Sequence, residues 1–197
     1  MRIGAVVLAA GKANRYGRDK ISETIAGRPL LHWVVLPLVQ HRRLSALVIV
    51  TRPGSPAVAW AMREGHRVVN GGEDMSASIG AGVHAIAGEV DGAFIVLADQ
   101  AAPGFVYDTL IDAVDTSPAS VFVPTYDDTP GNPVLFRAEW FEALTALGGD
   151  SGAKSLYEKA DATTYVDVPG PMPPDLDSPA DLPAVTRFIE HYFAANP

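Results

Sequence analysis

Four basic residues, Lys12, Arg15, Arg18 and Lys20, fall within nine positions of a chain whose formal charge is −8. They follow the small-residue run Leu8-Ala9-Ala10-Gly11. Small residues let backbone amides approach a phosphate chain closely. A forked guanidinium at Arg15 and a point-charge ammonium at Lys20 suit the neutralisation of a triphosphate or of a pyrophosphate leaving group. The plain alternative is a turn made by Gly11 and Gly17 with solvated basic side chains. Neither a dinucleotide fingerprint nor a Walker A loop fits, because the glycine spacing is wrong for the first and no Gly-Lys-Ser/Thr is present for the second.

A carboxylate complements this cationic loop. Asp99 follows the apolar run 93–97, at the expected carboxyl edge of a central strand, where an acidic residue needs a reason to be. Magnesium prefers oxygen ligands and keeps several waters, so one or two carboxylates plus substrate phosphates suffice to hold it. Against this stands a cap for the helix that begins near Phe105. Asp177 lies in a turn before Pro179, with Asp175 as an alternate, although Ser178-Pro179 followed by Asp181 is also an ordinary helix start. The five histidines lack metal-ligand spacing, and no serine sits in a nucleophile elbow.

Elements must deliver these residues to one place. Short apolar runs at 3–8, 46–51, 93–97, 121–124 and 165–168 read as strands buried on both faces. Helical spacing at 30–41, 56–64, 76–87, 105–114, 139–147, 151–159 and 180–193 alternates with them. The pattern predicts an α/β three-layer, Rossmann-like sandwich with a mostly parallel sheet. A short run at 133–136, after the turn 127–132, predicts an antiparallel insertion near the edge and so a mixed sheet. Ligands of such sheets sit beyond the carboxyl ends of the strands, which points to the residues after Leu8 and Leu97.

The chain resembles the MobA-like NTP transferase family, and within it the molybdenum cofactor cytidylyltransferases usually called MocA-like. The resemblance rests on Leu8-Ala9-Ala10-Gly11 with Arg15, Gly17 and Lys20. It continues through Gly72-Glu73-Asp74-Met75-Ser76-Ala77-Ser78, Leu97-Ala98-Asp99-Gln100, Gly131-Asn132-Pro133, Gly149-Asp150-Ser151-Gly152-Ala153-Lys154 and Asp175-Leu176-Asp177-Ser178-Pro179. It implies a nucleotide-diphospho-sugar transferase type of fold in one domain over 1–197. It also implies that Leu8, Ala9, Ala10, Gly11, Arg15 and Lys20 bind the nucleotide, with Lys20, Arg15 and Asp99 as the catalytic group. By the same resemblance Asp99 and Asp177 hold Mg2+, and Ser76 and Ser78 contact base or ribose, although helix capping alone accounts for these serines. Asn132, Asp150 and Gly152 would line the acceptor side, where Asn132 replaces a common histidine. Ala98, Ala101 and Ala102 also depart from the family pattern around the metal aspartate. The Ala9-Ala10 pair matches the cytidine-using branch, so the resemblance implies transfer of CMP from CTP to a molybdopterin acceptor. A molybdenum hydroxylase apoenzyme would then receive the product.

Composition narrows the remaining classes. With 197 residues, 48% hydrophobic and 19% charged, the chain can bury a full core as one domain. A net charge of −8 argues against nucleic acid and anionic membrane surfaces as partners. The absence of cysteine fits a reducing compartment, and the apolar start, 5–10, is too short for a signal or membrane segment, so a cytoplasmic protein is expected. Three rivals remain: another triphosphate or acceptor on the same fold, a nicotinamide-dependent oxidoreductase in the same cleft, and a non-catalytic chaperone of the finished cofactor.

Overall fold

The structure is a computed structural model, and it describes residues 1–11, 16, 19–149, 152–158 and 161–193. Ten strands are present among these residues: β1 (Ile3–Ala9), β2 (Thr24–Ile25), β3 (Arg28–Pro29), β4 (Leu44–Thr51), β5 (Arg67–Asn70), β6 (Gly92–Leu97), β7 (Val121–Tyr126), β8 (Thr129–Pro130), β9 (Val134–Arg137) and β10 (Thr163–Asp167). The helices are α1 (Leu30–Gln40), α2 (Pro56–Arg63), α3 (Met75–Ile86), α4 (Gly104–Thr116), α5 (Phe141–Thr145), α6 (Lys154–Tyr157) and α7 (Leu182–Phe193).

The main sheet runs β10-β7-β9-β6-β1-β4-β5, with β8 paired to β7, while β2 and β3 form a separate hairpin. β1 pairs in parallel with both β4 and β6, and its neighbours match Leu8 to Val50 on one side and to Leu97 on the other. Strands of this kind are apolar on both faces because helices cover both. Alternate residues of β1 make the division visible. Ala5, Val7 and Ala9 pack with α1, α4 and α7, whereas Val6 joins Ile79, Val83 and Ile86 of α3 on the other face. The result is the predicted three-layer sandwich with a mixed, mostly parallel sheet.

The insertion lies elsewhere than expected. β9 is antiparallel as predicted, but it sits inside the sheet between β6 and β7 rather than near the edge. Val134, Leu135 and Phe136 are all buried, which an interior position requires. β5 escaped prediction because only its two central valines are apolar and it forms the edge of the sheet. The helix expected over 139–147 is a 3-10 turn, Ala138–Trp140, leading into the short α5. The one expected over 151–159 reduces to α6 within the described residues.

α3 lies directly on the sheet, and glycine makes the approach possible. A Cβ on Gly82 would stand 2.2 Å from Val6 Cγ1 and 2.8 Å from Val50 Cγ2. Overpacking of this kind costs about 1–3 kcal/mol, of which the helix preference of Ala over Gly recovers at most about 1. Gly82→Ala should therefore lower the thermal midpoint by a few degrees. An unchanged or raised midpoint in a melting experiment would show that the α3–sheet contact yields freely.

Candidate functional site

The site begins with how Lys20 is fixed. Asp19, at the end of the glycine-rich loop, accepts a hydrogen bond from Ser55 Oγ at 2.6 Å. The 3-10 turn Lys20–Ser22 follows, closed by Ser22 N to Asp19 O and Glu23 N to Lys20 O. Ile21 is buried within that turn and anchors it to the core, so Lys20 is left facing the carboxyl rim of the sheet. Across the rim, Ala98 N donates to Leu8 O at 3.2 Å, which ties the end of β6 to the end of β1. Leu8, Ala9, Gly11, Lys20 and Asp99 then line one small cleft of about 30 Å³.

Lys20 is the centre of this cleft. Its Nζ donates to Asp99 at 2.6 Å and to Asp177 at 2.9 Å. The Lys20 side chain is only 16% exposed, against 23% for Asp99 and 57% for Asp177. Burial, the largest influence on this ammonium, opposes its charge. The attraction of Asp99, the hydrogen bonds to Asp99 and Asp177 and the charge of Asp177 together outweigh it, so the pKa of Lys20 lies above the ordinary lysine value. A cationic residue and the two carboxylates picked out in the sequence thus meet at one point.

Asp177 reaches that point from far along the chain. Leu176 N donates to Asp99 O at 3.0 Å, and the Asp181 carboxylate accepts from Asp177 N, Ser178 N and Ser178 Oγ. Asp175 reaches solvent, yet the protein mass around it, and then the charges of Asp99 and Asp177, push its carboxyl up to about 6. The group's folded pKa exceeds its unfolded value of about 3.8. Its protonation therefore supports the fold fully below that value, and the support is lost as pH rises through about 6. In chelator, Asp175→Asn should accordingly be the more stable protein at pH 7.5 and nearly equal to wild type at pH 3.5. The gain is discounted for exposure to about 1 kcal/mol. Thermal melts that differ equally at both pH values would refute the carboxylate crowding.

The other predicted residues fall into separate groups. Asn132 and Gly152 line a larger recess of about 150 Å³ with Leu8, Met75, Ile79, Leu97 and Tyr157. Ser78 is buried beside Ala10, with Gly71 between them: a Cβ on Gly71 would lie 2.7 Å from both Ala10 Cβ and Ser78 Oγ. The cap of α3 is Asp74, which accepts from Ala77 N, while Ser76 donates to the Asp74 carboxylate and Ser78 to Asp74 O. Ser76 lines a different hollow on the outer side of α3, together with Gly80 and Gly149, and is not gathered with the cleft residues. Arg15 and Asp150 lie outside the described residues. Sequence reasoning passed over Asp19, Ile21 and Gln100; the last was visible as the polar residue directly after the rim aspartate.

The donor set fits a hard divalent ion. Two carboxylates from distant segments converge on a single positive charge, and a third carboxylate nearby has its proton affinity raised by them. No group of three or more His, Asp or Glu residues in metal-holding geometry occurs among the described residues. Two protein oxygens with water and phosphate completing the shell is the arrangement Mg2+ favours.

The architecture and this rim define a nucleotide-diphospho-sugar transferase-like fold with its polar site at the carboxyl ends of β1 and β6. A family profile described as MobA-like NTP transferase domain matches residues 5–164, and the chain belongs to that family. It is 27% identical over 200 residues to the Bacillus subtilis purine catabolism protein PucB, covering 93% of this chain and 96% of that protein. It is 30% identical over 117 residues to the 2-C-methyl-D-erythritol 4-phosphate cytidylyltransferase of Bordetella petrii, covering 56% of this chain and 52% of that one. Matches at about 30% identity span between 29% and 52% of the relatives' own length, bifunctional IspD/IspF enzymes included. Among solved structures, Rv0371c of Mycobacterium tuberculosis H37Rv superposes with a TM-score of 0.83 at 26% identity, covering 95% of this chain and 99% of that one. A second structure of Rv0371c, a manganese complex, gives 0.81 at 25% identity with the same coverage. No helix among the described residues is long and apolar enough to cross a membrane.

Proposed function

We propose that this chain, acting as a single domain over 1–197 in the cytoplasm, is a Mg2+-dependent cytidylyltransferase that transfers CMP from CTP to molybdopterin. The observation that carries the proposal is the bridging of Asp99 and Asp177 by Lys20 Nζ at 2.6 and 2.9 Å. In the reaction an acceptor phosphate oxygen attacks the α-phosphorus of CTP. The bond to the β-phosphate bridging oxygen breaks, pyrophosphate leaves, and a diphosphate-linked cytosine dinucleotide forms. Chemistry of this kind needs positioning and charge neutralisation rather than a covalent intermediate.

The residues divide the work. Leu8, Ala9, Ala10 and Gly11 offer the backbone face of the cleft, and Lys20, with Arg15, holds the triphosphate. Asp99 and Asp177 would hold Mg2+, which supplies charge neutralisation on the phosphate oxygens when bound. Ser78, buried beside Ala10, lies near the expected base and ribose, with Ser76 just before it in the same helix. Asn132 and Gly152, and Asp150 by its place in the sequence, mark the acceptor side. The manganese complex of Rv0371c supports a divalent requirement. CTP is supported by the Ala9-Ala10 pair and by the cytidylyltransferase relative. A molybdenum hydroxylase apoenzyme is the natural recipient of the product.

A second reading keeps CTP and replaces the acceptor by a polyol phosphate, as the name of the Bordetella petrii relative suggests. The largely apolar lining of the recess beside the cleft supports the first reading: Met75, Ile79, Ile95, Leu97 and Val134 offer surface to a ring-bearing acceptor, while Asn132, Lys154 and the Tyr157 hydroxyl are its polar members. Pyrophosphate release should be measured with CTP, GTP and ATP, each with molybdopterin and with 2-C-methyl-D-erythritol 4-phosphate, in Mg2+ and in chelator. Release that needs CTP, molybdopterin and Mg2+ together is the expected result. Release with none of the combinations, alongside binding of the finished cofactor, would favour the chaperone reading instead.

A further inference from the structure

We propose that Gln100 is a positioning residue, clamping the segment that carries Asp177 against the rim so that Asp177 and Asp99 meet at Lys20. Gln100 is 4% exposed, and its Nε2 donates to Pro173 O at 2.8 Å across 73 residues of sequence. Three residues further on, Leu176 N donates to Asp99 O at 3.0 Å, and the Leu176 side chain is fully buried. Two hydrogen bonds from consecutive residues of the β6 rim therefore bracket 173–176, immediately before Asp177. The stretch 168–177 contains no helix or strand of its own, so Asp177 is fixed by individual bonds: its own N–H to the Asp181 carboxylate on one side and the two rim bonds on the other. The whole segment also falls outside the matched family region, which ends at residue 164.

The other half of the amide shows what the residue is not for. Gln100 Oε1 is buried with no hydrogen-bond partner. A buried, unsatisfied carbonyl is a cost that a methionine of similar volume would not carry. Gln100 is thus a poor choice for stability alone and a good one for holding a particular backbone carbonyl. Among the described residues the side chains of Asp99 and Asp177 are joined through Lys20, whose ammonium a triphosphate would draw away.

The metal half of this inference rests on the nucleotidyltransferase reading, and the test separates the two. Gln100→Met keeps the volume and removes the donor; Gln100→Asn keeps an amide one methylene too short and serves if the first variant folds poorly. Three quantities are compared with wild type: hydrogen exchange at the Leu176 amide, Mn2+ affinity of the nucleotide-free protein by calorimetry, and the Mg2+ dependence of pyrophosphate release. The expected result is Leu176 exchange at least about tenfold faster and Mn2+ binding at least about fivefold weaker. The Mg2+ concentration for half-maximal release should rise by a similar factor, with kcat at saturating Mg2+ within about threefold of wild type. Unchanged Leu176 exchange, faster exchange with unchanged Mn2+ affinity, or a loss confined to kcat would each overturn the positioning role. Wild-type protein that releases no pyrophosphate with any triphosphate and acceptor would instead sink the nucleotidyltransferase reading and the metal half with it, and the Leu176 exchange rate would still decide the clamp.

Discussion

Asp99→Asn should lower pyrophosphate release by about 10³-fold or more while the protein melts within a few degrees of wild type. Asparagine has nearly the same shape and can still accept a hydrogen bond, so the packing at the end of β6 survives. The negative charge does not. Asp99 is the shorter of the two contacts to Lys20, at 2.6 Å, and the less exposed carboxylate of the pair. Its loss removes one oxygen anion from the pair expected to hold the divalent ion and the nearer counter-charge of the ammonium. Electrostatic groups of this kind each contribute about 10²–10³ to turnover, and loss of the ion adds to that. Stability changes little because Asp177 still pairs with Lys20. Steady-state pyrophosphate assays across Mg2+ concentrations make the check, and turnover within tenfold of wild type at any of them would remove Asp99 from the machinery.

Lys20→Ala should produce two opposite effects in one protein. Triphosphate binding loses a charge-assisted hydrogen bond worth about 1.5–3 kcal/mol, or roughly 10- to 150-fold in affinity. Mn2+ binding to the nucleotide-free protein should become tighter, because Lys20 Nζ now occupies the position between Asp99 and Asp177 that a divalent ion would share. Calorimetry with CTP and, separately, with Mn2+ reads both. Unchanged CTP affinity removes Lys20 from the triphosphate site. Weaker Mn2+ binding would mean that the ammonium organises the carboxylates instead of competing for them.

Particular residues show what the sequence could reveal. β1, β4 and β6 were readable within a few residues at each end because each carries a short apolar run, buried on both faces throughout β1 and β6 and over 48–51 of β4, a pattern that central parallel strands produce. α1 was readable in spite of the internal Pro37, since Leu30, Leu31, Trp33, Val34, Val35 and Leu38 repeat at helical spacing and are all buried. The edge strand β5 was not, as two valines between Arg67 and Asn70 carry no period. The meeting of Lys20 with Asp99 followed from chemistry: a cationic loop after one central strand and an acidic residue after its neighbour belong on one rim. The local sequence left Asp177 open between a ligand and an ordinary helix start, and the family resemblance weighed for the ligand. The clamp from Gln100 to Pro173 O had no signature at all. A side chain bonding to a backbone carbonyl far along the chain depends on the fold and not on neighbouring residue types.

The late arrival of Asp177 has a consequence for the protein during its own synthesis. Lys20 and Asp99 are both present once residue 99 has left the ribosome, but Asp177 is 157 residues from Lys20. Chains emerge from the N-terminal side at roughly 5–20 residues per second, and a domain folds as a unit. The second carboxylate follows only when residues 173–181 have emerged and docked. Nascent or prematurely released polypeptides thus hold half of the acidic pair, and the complete rim comes into being at about the moment the last helix settles onto the sheet.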